Sequence, residues 1–294
     1  MADSPTSPPP GEPIGARQGQ PVCVRHPDRA TGLRCVRCDR PACPACLREA
    51  SVGHQCVDCV NEGQSTVRRA RTAVGAEVSQ TVVVTPVLIA MNVLMFLITA
   101  VQARSLADNA LSPLFGDFVM WTRAVAVGDQ WWRMVTSGFL HYGPFHLALN
   151  MIALYVLGRL LEPQFGKLRF SAIYLVSLLG GSVAVYLFGE VDSFPAGASG
   201  AVYGLMGALL VAVLKFKLNA TSALVVIGLN LVLSVTLPGI SLLAHLGGLV
   251  IGAAVTAGMV YAPQEKRANW QAAAVVGAFV LLVVMTVVRT GQLL

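Results

Sequence analysis

From residue 84 onward the chain is a succession of hydrophobic runs, at 84–103, 144–161, 169–189, 199–214, 220–238, 240–262 and 270–288. Each is close to the ~20 residues an α-helix needs to cross ~30 Å of hydrocarbon. Runs of this kind fold as helices, because a bilayer offers no partner to a bare backbone N–H or C=O. The spacing predicts an all-α membrane domain of seven spans, the fifth and sixth joined by a turn near Pro238-Gly239. Only 12% of the residues are charged, about half of the ~25% usual in soluble domains. Of the 36 charged side chains, 18 lie in residues 1–77. That division excludes a single soluble domain, a secreted disulfide scaffold and a disordered chain. It leaves a small polar N-terminal part attached to a polytopic membrane domain.

Positive charge orients the spans. With the N-terminus inside, one set of ends carries Arg68, Arg69, Arg71, Arg159, Lys167, Arg169, Lys215, Lys217, Lys266 and Arg267. The opposite ends carry Arg104, Arg123, Arg133 and Arg289. Ten against four predicts a cytoplasmic N-terminus and an external C-terminus, in the plasma membrane. The long external connection 104–143 holds Trp121, Trp131, Trp132 and Arg133. This composition suits the membrane interface, as an aromatic belt with an anchoring arginine. The net charge of +6 then reports topology, and no nucleic-acid partner is expected.

The N-terminal part divides further. Residues 1–21 hold six of the sixteen prolines and no apolar run of a signal peptide, and read as a disordered tail. Residues 22–60 contain all seven cysteines, and 61–83 read as a polar linker. The spacing is Cys23-x2-His26, Cys35-x2-Cys38, Cys43-x2-Cys46 and Cys56-x2-Cys59. Four pairs give eight ligands, enough for two tetrahedral Zn2+ ions. So short a segment builds little apolar core, so the metal would supply its folding energy. The zinc is expected to be structural, and catalysis to need no cofactor. His54 is a spare imidazole.

Uncharged polar residues inside spans are costly and are functional candidates by default. His146 and Asn150 lie in the second span, Ser199 opens the fourth, and His245 lies in the sixth. These spans run in the same direction. Ser199 precedes Lys215 by 16 residues, His146 precedes Glu162 by 16, and His245 precedes Ala262 by 17. At 1.5 Å per residue each lies ~24–26 Å above the cytoplasmic boundary, so three spans bring a serine and two histidines to one depth. A serine hydroxyl becomes nucleophilic when a base takes its proton, and His245 can do that. Asn150, His146 and the Ser199 N–H can meet a developing oxyanion. Tyr203, one turn after Ser199, can flank the groove and hold the histidine. The carboxylates between 135 and 262 are Glu162, at the other membrane face, and Glu190 and Asp192, in an external loop. The residues therefore favour a Ser–His dyad over a triad.

Together these residues resemble the rhomboid family of intramembrane serine proteases. The matching pieces are Trp132-Arg133, His141-x4-His146-x3-Asn150, Gly197-Ala198-Ser199-Gly200 with Tyr203 and Gly204, and Ala244-His245-x2-Gly248-x3-Gly252. The resemblance covers about 85–262 and implies a six-helix protease domain, 84–262, with 263–294 adding a seventh helix in a 6+1 arrangement. It implies Ser199 as nucleophile and His245 as base. His146, Asn150 and the Ser199 amide would stabilise the oxyanion, and Gly200, Gly204, Gly248 and Gly252 would let two helices approach. The cysteine block is similar to B-box-type zinc fingers. That likeness implies a cross-brace, with Cys23, His26, Cys43 and Cys46 on one ion and Cys35, Cys38, Cys56 and Cys59 on the other. Spacing alone leaves a sequential arrangement open.

The expected function is an endopeptidase cleaving transmembrane segments of other membrane proteins near the outer face of the bilayer. The zinc domain would be free to bind a cytoplasmic protein partner. Two other classes fit the same residues: a transporter using His146 and His245 as a relay, and a non-catalytic scaffold holding clients through its zinc domain.

Overall fold

The computed structural model describes residues 19–66, 70–78, 81–236 and 239–294. Most of the predicted tail, Arg68, Arg69 and Pro238 lie outside them. The chain divides into two compact units, Met1–Arg69 and Ala70–Leu294.

In the first unit, strands β1 (Val22–Cys23) and β2 (His26–Ala30) form an antiparallel pair, as do β3 (Leu47–Glu49) and β4 (His54–Cys56). Helix α1 (Val57–Thr66) follows β4 directly, so the first part of the expected linker is helical. Among the described residues, the buried apolar cluster of this unit contains two that are not cysteine, Ala42 and Leu47. Hydrophobic burial of that size stabilises little, as the sequence implies.

The second unit is helical. It opens with α2 (Val84–Ala103), followed by the short helices α3 (Pro113–Phe118), α4 (Thr122–Ala126) and α5 (Arg133–Thr136). Then come α6 (Gly143–Phe188), α7 (Ser199–Lys215), α8 (Thr221–Thr236), α9 (Leu242–Val260) and α10 (Arg267–Leu293). Four of them, α2, α6, α9 and α10, are long and apolar enough to cross a membrane. The expected second and third spans are the two halves of α6, which is broken where Gly166 adopts φ +75°, ψ 160°, three residues after Pro163. Proline removes a helical N–H, and glycine alone adopts that backbone region without strain.

Two expected spans form short helices. Helix α7 has 17 residues and α8 has 16, about 24–26 Å at 1.5 Å per residue. Arg133 departs from its expected place. It is 5% exposed and donates to the Gly116 and Val119 carbonyls at 2.7 and 2.8 Å and to Gln130 Oε1 at 2.6 Å. It therefore staples the long connection together from inside, while Trp131 and Trp132 stay outside.

Glu162 is 2% exposed and sits at the start of α2. It accepts from the backbone N–H groups of Val83, Val84 and Thr85 at 2.6, 2.8 and 2.9 Å, and from Thr85 Oγ1 at 2.8 Å. Helix α2 has no capping side chain of its own, so α6 supplies the acceptor that its first turn lacks. Glu162→Ala would leave the two Thr85 donors buried without a partner and take the acceptor from the Val83 and Val84 N–H groups. It is expected to destabilise the helical unit by about 2–4 kcal/mol, measured by reversible unfolding in mixed micelles. Glu162→Gln, which keeps one acceptor oxygen, is expected to lose less.

Helix α10 packs on α6 and α9 through Gln271 at one end, which accepts from Arg169 Nε at 2.7 Å and donates to the Val74 and Met259 carbonyls. At the other end the Tyr186 and Thr290 hydroxyls lie 2.7 Å apart.

Candidate functional site

Helices α6, α7 and α9 meet with their backbones in contact. A Cβ on Gly248 would lie 1.9 Å from the Gly200 carbonyl oxygen, and one on Gly252 would lie 2.3 Å from that of Gly204. Glycine at these positions is what allows an approach so close. A cavity of about 1010 Å³ opens at the junction, lined by Ser199, His245, His146, Asn150 and Tyr203, with Gly197 and Gly200 in its wall. All seven residues expected at the site thus border one space.

Ser199 is the first residue of α7, where the leading N–H groups have no partner within the helix. Gly197, just before it, has φ +133°. A Cβ there would lie 2.9 Å from His146 Nε2 and 3.7 Å from Ser199 Oγ. The bare glycine keeps open the space between the hydroxyl and the imidazole.

The two histidines present opposite faces. The backbone N–H of Tyr142 donates to His146 Nδ1 at 3.3 Å, so that nitrogen is the acceptor and Nε2 carries the proton. Asn150, on the next turn, donates through Nδ2 to the His146 carbonyl at 3.0 Å, which leaves its second amide proton available. His245 is 6% exposed and stacks on the Tyr203 ring with centroids 4.0 Å apart and planes 14° from parallel. Its Nδ1 lies 2.6 Å from Ser234 Oγ. Among the described residues no hydrogen bond joins Ser199 Oγ to His245, and no carboxylate bonds either histidine. Ser234 escapes sequence reasoning because it belongs to no motif.

The surrounding loops hold the serine in place. His141 is fully buried; burial, and then the neighbouring His146, push its imidazole down to about 3. The neutral ring accepts from the Ala198 N–H at 3.4 Å through Nε2 and meets His146 edge-on at 5.1 Å. Asp192 pairs with Arg123 Nη2 at 3.3 Å and Trp121 Nε1 at 3.3 Å, while Glu190 lies on the cavity wall.

In the first unit the cysteines and His26 form two groups: Cys23, His26, Cys43 and Cys46, and Cys35, Cys38, Cys56 and Cys59. Within each group the ligand atoms lie within 4.8 Å of one another. His26 Nδ1 is 3.2 Å from Cys46 Sγ and 3.5 Å from Cys43 Sγ, and Cys38 and Cys56 sulfurs are 3.7 Å apart. Tetrahedral bonds of ~2.3 Å to sulfur and ~2.0 Å to nitrogen require ligand separations of roughly 3.5–3.8 Å, so the residues fit a metal ion. The grouping is interleaved along the chain. His54 is exposed and belongs to neither group. The Cys43 backbone hydrogen bond draws the Cys23 thiol down to about 6, whereas burial and then the Cys23 and Cys43 thiols push Cys46 up to about 11. Several thiolates cannot coexist in one buried cluster without a cation, which is what a metal ion would provide.

Residues 128–262 match the family model of the Rhomboid domain. The chain is 34% identical over 169 residues to "Rhomboid protease GluP" of Bacillus subtilis (strain 168), covering 56% of this chain and 32% of that protein. It is 42% identical over 137 residues to "RHOMBOID-like protein 6, mitochondrial" of Arabidopsis thaliana, covering 44% of each. It is also 35% identical over 152 residues to "Inactive RHOMBOID-like protein 8" of the same plant, covering 49% of this chain and 43% of that one. The chain therefore spans less than half the length of each of these relatives. The matches support the rhomboid family and a multi-pass membrane protein.

Proposed function

We propose that this rhomboid-domain chain is an intramembrane serine endopeptidase that cuts transmembrane segments of other membrane proteins near the outer face of the plasma membrane. The observation that carries the reading is the pairing of opposite histidine faces around Ser199 in one cavity. His146 offers Nε2–H as a donor, and His245 leaves Nε2 free as a base. Ser199 Oγ would attack the scissile carbonyl carbon as its proton moves to His245 Nε2 and the carbonyl electron pair moves onto oxygen. His146, Asn150 and the Ser199 N–H would bind that oxygen. The His245 proton would then pass to the departing amide nitrogen as the C–N bond breaks, and water would release the acyl group by the reverse sequence. A substrate helix hides its carbonyls, so it would need to unwind at the cut, favouring small or helix-breaking residues there.

The topology that follows puts the N-terminus in the cytoplasm and the C-terminus outside. The first unit would be a B-box-like domain with two structural Zn2+ ions, one held by Cys23, His26, Cys43 and Cys46 and one by Cys35, Cys38, Cys56 and Cys59. The metal would act as a cross-link and leave a surface for a cytoplasmic protein partner.

The test is to treat the purified full chain with a fluorophosphonate probe and follow cleavage of a transmembrane reporter. Labelling is expected at Ser199 in peptide maps, with cleavage lost in proportion. Cleavage that survives complete labelling of Ser199 would overturn the mechanism, and an unlabelled chain without cleavage would leave the scaffold reading in its place.

A further inference from the structure

We infer that Ser234 is a positioning residue that holds His245 in the tautomer with its proton on Nδ1, so that Nε2 is kept free as the base. The inference rests on the hydrolytic reading of the cavity proposed above.

Ser234 lies on α8, where it and Ile227 are the buried residues, and it is 5% exposed. Its hydroxyl makes three contacts. Oγ is 2.7 Å from the Asn230 carbonyl oxygen, 2.6 Å from His245 Nδ1 and 3.0 Å from Tyr203 Oη. A serine in a membrane helix commonly bonds the carbonyl four residues back, and the Asn230 contact is that bond. The ordinary role leaves the other two contacts unexplained.

Counting protons assigns them. Ser234 has one hydroxyl proton and two lone pairs, and a carbonyl can only accept. All three contacts are satisfied together only if Ser234 donates to Asn230 and accepts from both Tyr203 O–H and His245 Nδ1–H. If Ser234 instead donated to His245, the Asn230 contact would lose its proton. The assignment that satisfies every partner therefore places the His245 proton on Nδ1. The Tyr203 stack fixes the plane of the imidazole, and the Ser234 bond fixes its rotation within that plane.

During the reaction the Ser199 proton arrives on Nε2 and the ring becomes a cation. The Nδ1–H to Ser234 bond is then charge-assisted and stronger than in the resting state, which favours the transition state. Ser234 takes no proton at any step. A hydroxyl supplies this orientation without the cost of placing a carboxylate among apolar helices.

The test compares wild type, Ser234→Ala, Ser234→Cys and Ser234→Thr in the full chain. Cysteine keeps nearly the same volume but is a weak acceptor, and threonine keeps the hydroxyl. In Ser234→Ala and Ser234→Cys, kcat for the transmembrane reporter is expected to fall about 10–100-fold with KM unchanged. Ser234→Thr is expected to retain most of it. Nitrogen NMR of labelled histidine is expected to show His245 protonated on Nδ1 in wild type and in Ser234→Thr. In Ser234→Cys and Ser234→Ala it should show a mixture of tautomers.

A tautomer unchanged by Ser234→Cys, or a Ser234→Ala enzyme with wild-type kcat, would overturn the inference. Ser199→Ala separates the two levels of argument. If cleavage persists without Ser199, the hydrolytic reading fails, while the tautomer measurement still decides the role of Ser234.

Discussion

Ser199→Ala is expected to lower kcat/KM for a transmembrane reporter by roughly 10⁴-fold or more, and adding His245→Ala is expected to cost almost nothing further. The magnitude follows from what each residue contributes. An alkoxide-like nucleophile is reached only when the base accepts the hydroxyl proton, and the base has no other proton to accept in that step. Removing either member therefore removes the same barrier reduction, and the losses do not add. The residual rate would come from the oxyanion donors and from substrate binding, neither of which depends on the dyad. The cycle is measured with wild type, both single variants and the double variant reconstituted at equal density. Multiplicative losses, with the double variant slower than either single by the product of their factors, would show that Ser199 and His245 act independently. The burial of His245 against Tyr203 and α7 makes unfolding the competing explanation for a low rate, so each variant also requires a wild-type unfolding transition.

Much of the lining of this cavity could be read from the sequence because membrane burial makes polar residues conspicuous. Ser199, His146, Asn150 and His245 stand out against apolar runs, and helix periodicity converts their offsets into a common depth. The two Cys/His groups are legible for a similar reason, since four pairs at regular spacing are the pattern of a tetrahedral metal site. The parts that were not legible depend on contacts between distant segments. Ser234 carries no motif, and only the approach of α8 to α9 gives its hydroxyl a histidine partner. Glu162 reads as a residue at a membrane face, yet it serves as the cap of a helix 77 to 79 residues earlier in the chain. Arg133 has the composition of an interfacial anchor, but the carbonyls left over by the turns of its own loop draw it inward. Hydropathy registers where a span can be, whereas its ends depend on such caps and turns.

The second large effect concerns metal. Elemental analysis of the full chain is expected to give two zinc ions per molecule, and a strong chelator is expected to abolish amide-exchange protection across residues 22–66. Structural zinc contributes an apparent ~10–16 kcal/mol in small finger domains, comparable with the whole stability of an ordinary domain, ~5–15 kcal/mol. The buried apolar cluster of the first unit, cysteines with Ala42 and Leu47, offers no reserve to offset that loss. The interleaved grouping makes a sharper demand. Cys23 and Cys46 are 23 positions apart, yet they belong to one cluster. Cys23→Ser and Cys46→Ser are each expected to release the same ion, and the double variant should hold no less zinc than either single. If the ligands were taken in chain order, Cys23 would share an ion with Cys38 and Cys46 with Cys59, and the double variant would lose twice as much. Cobalt substitution separates the clusters spectroscopically, because one has three thiolates and an imidazole and the other four thiolates. Loss of the same cobalt band from both single variants is the outcome the interleaved grouping requires.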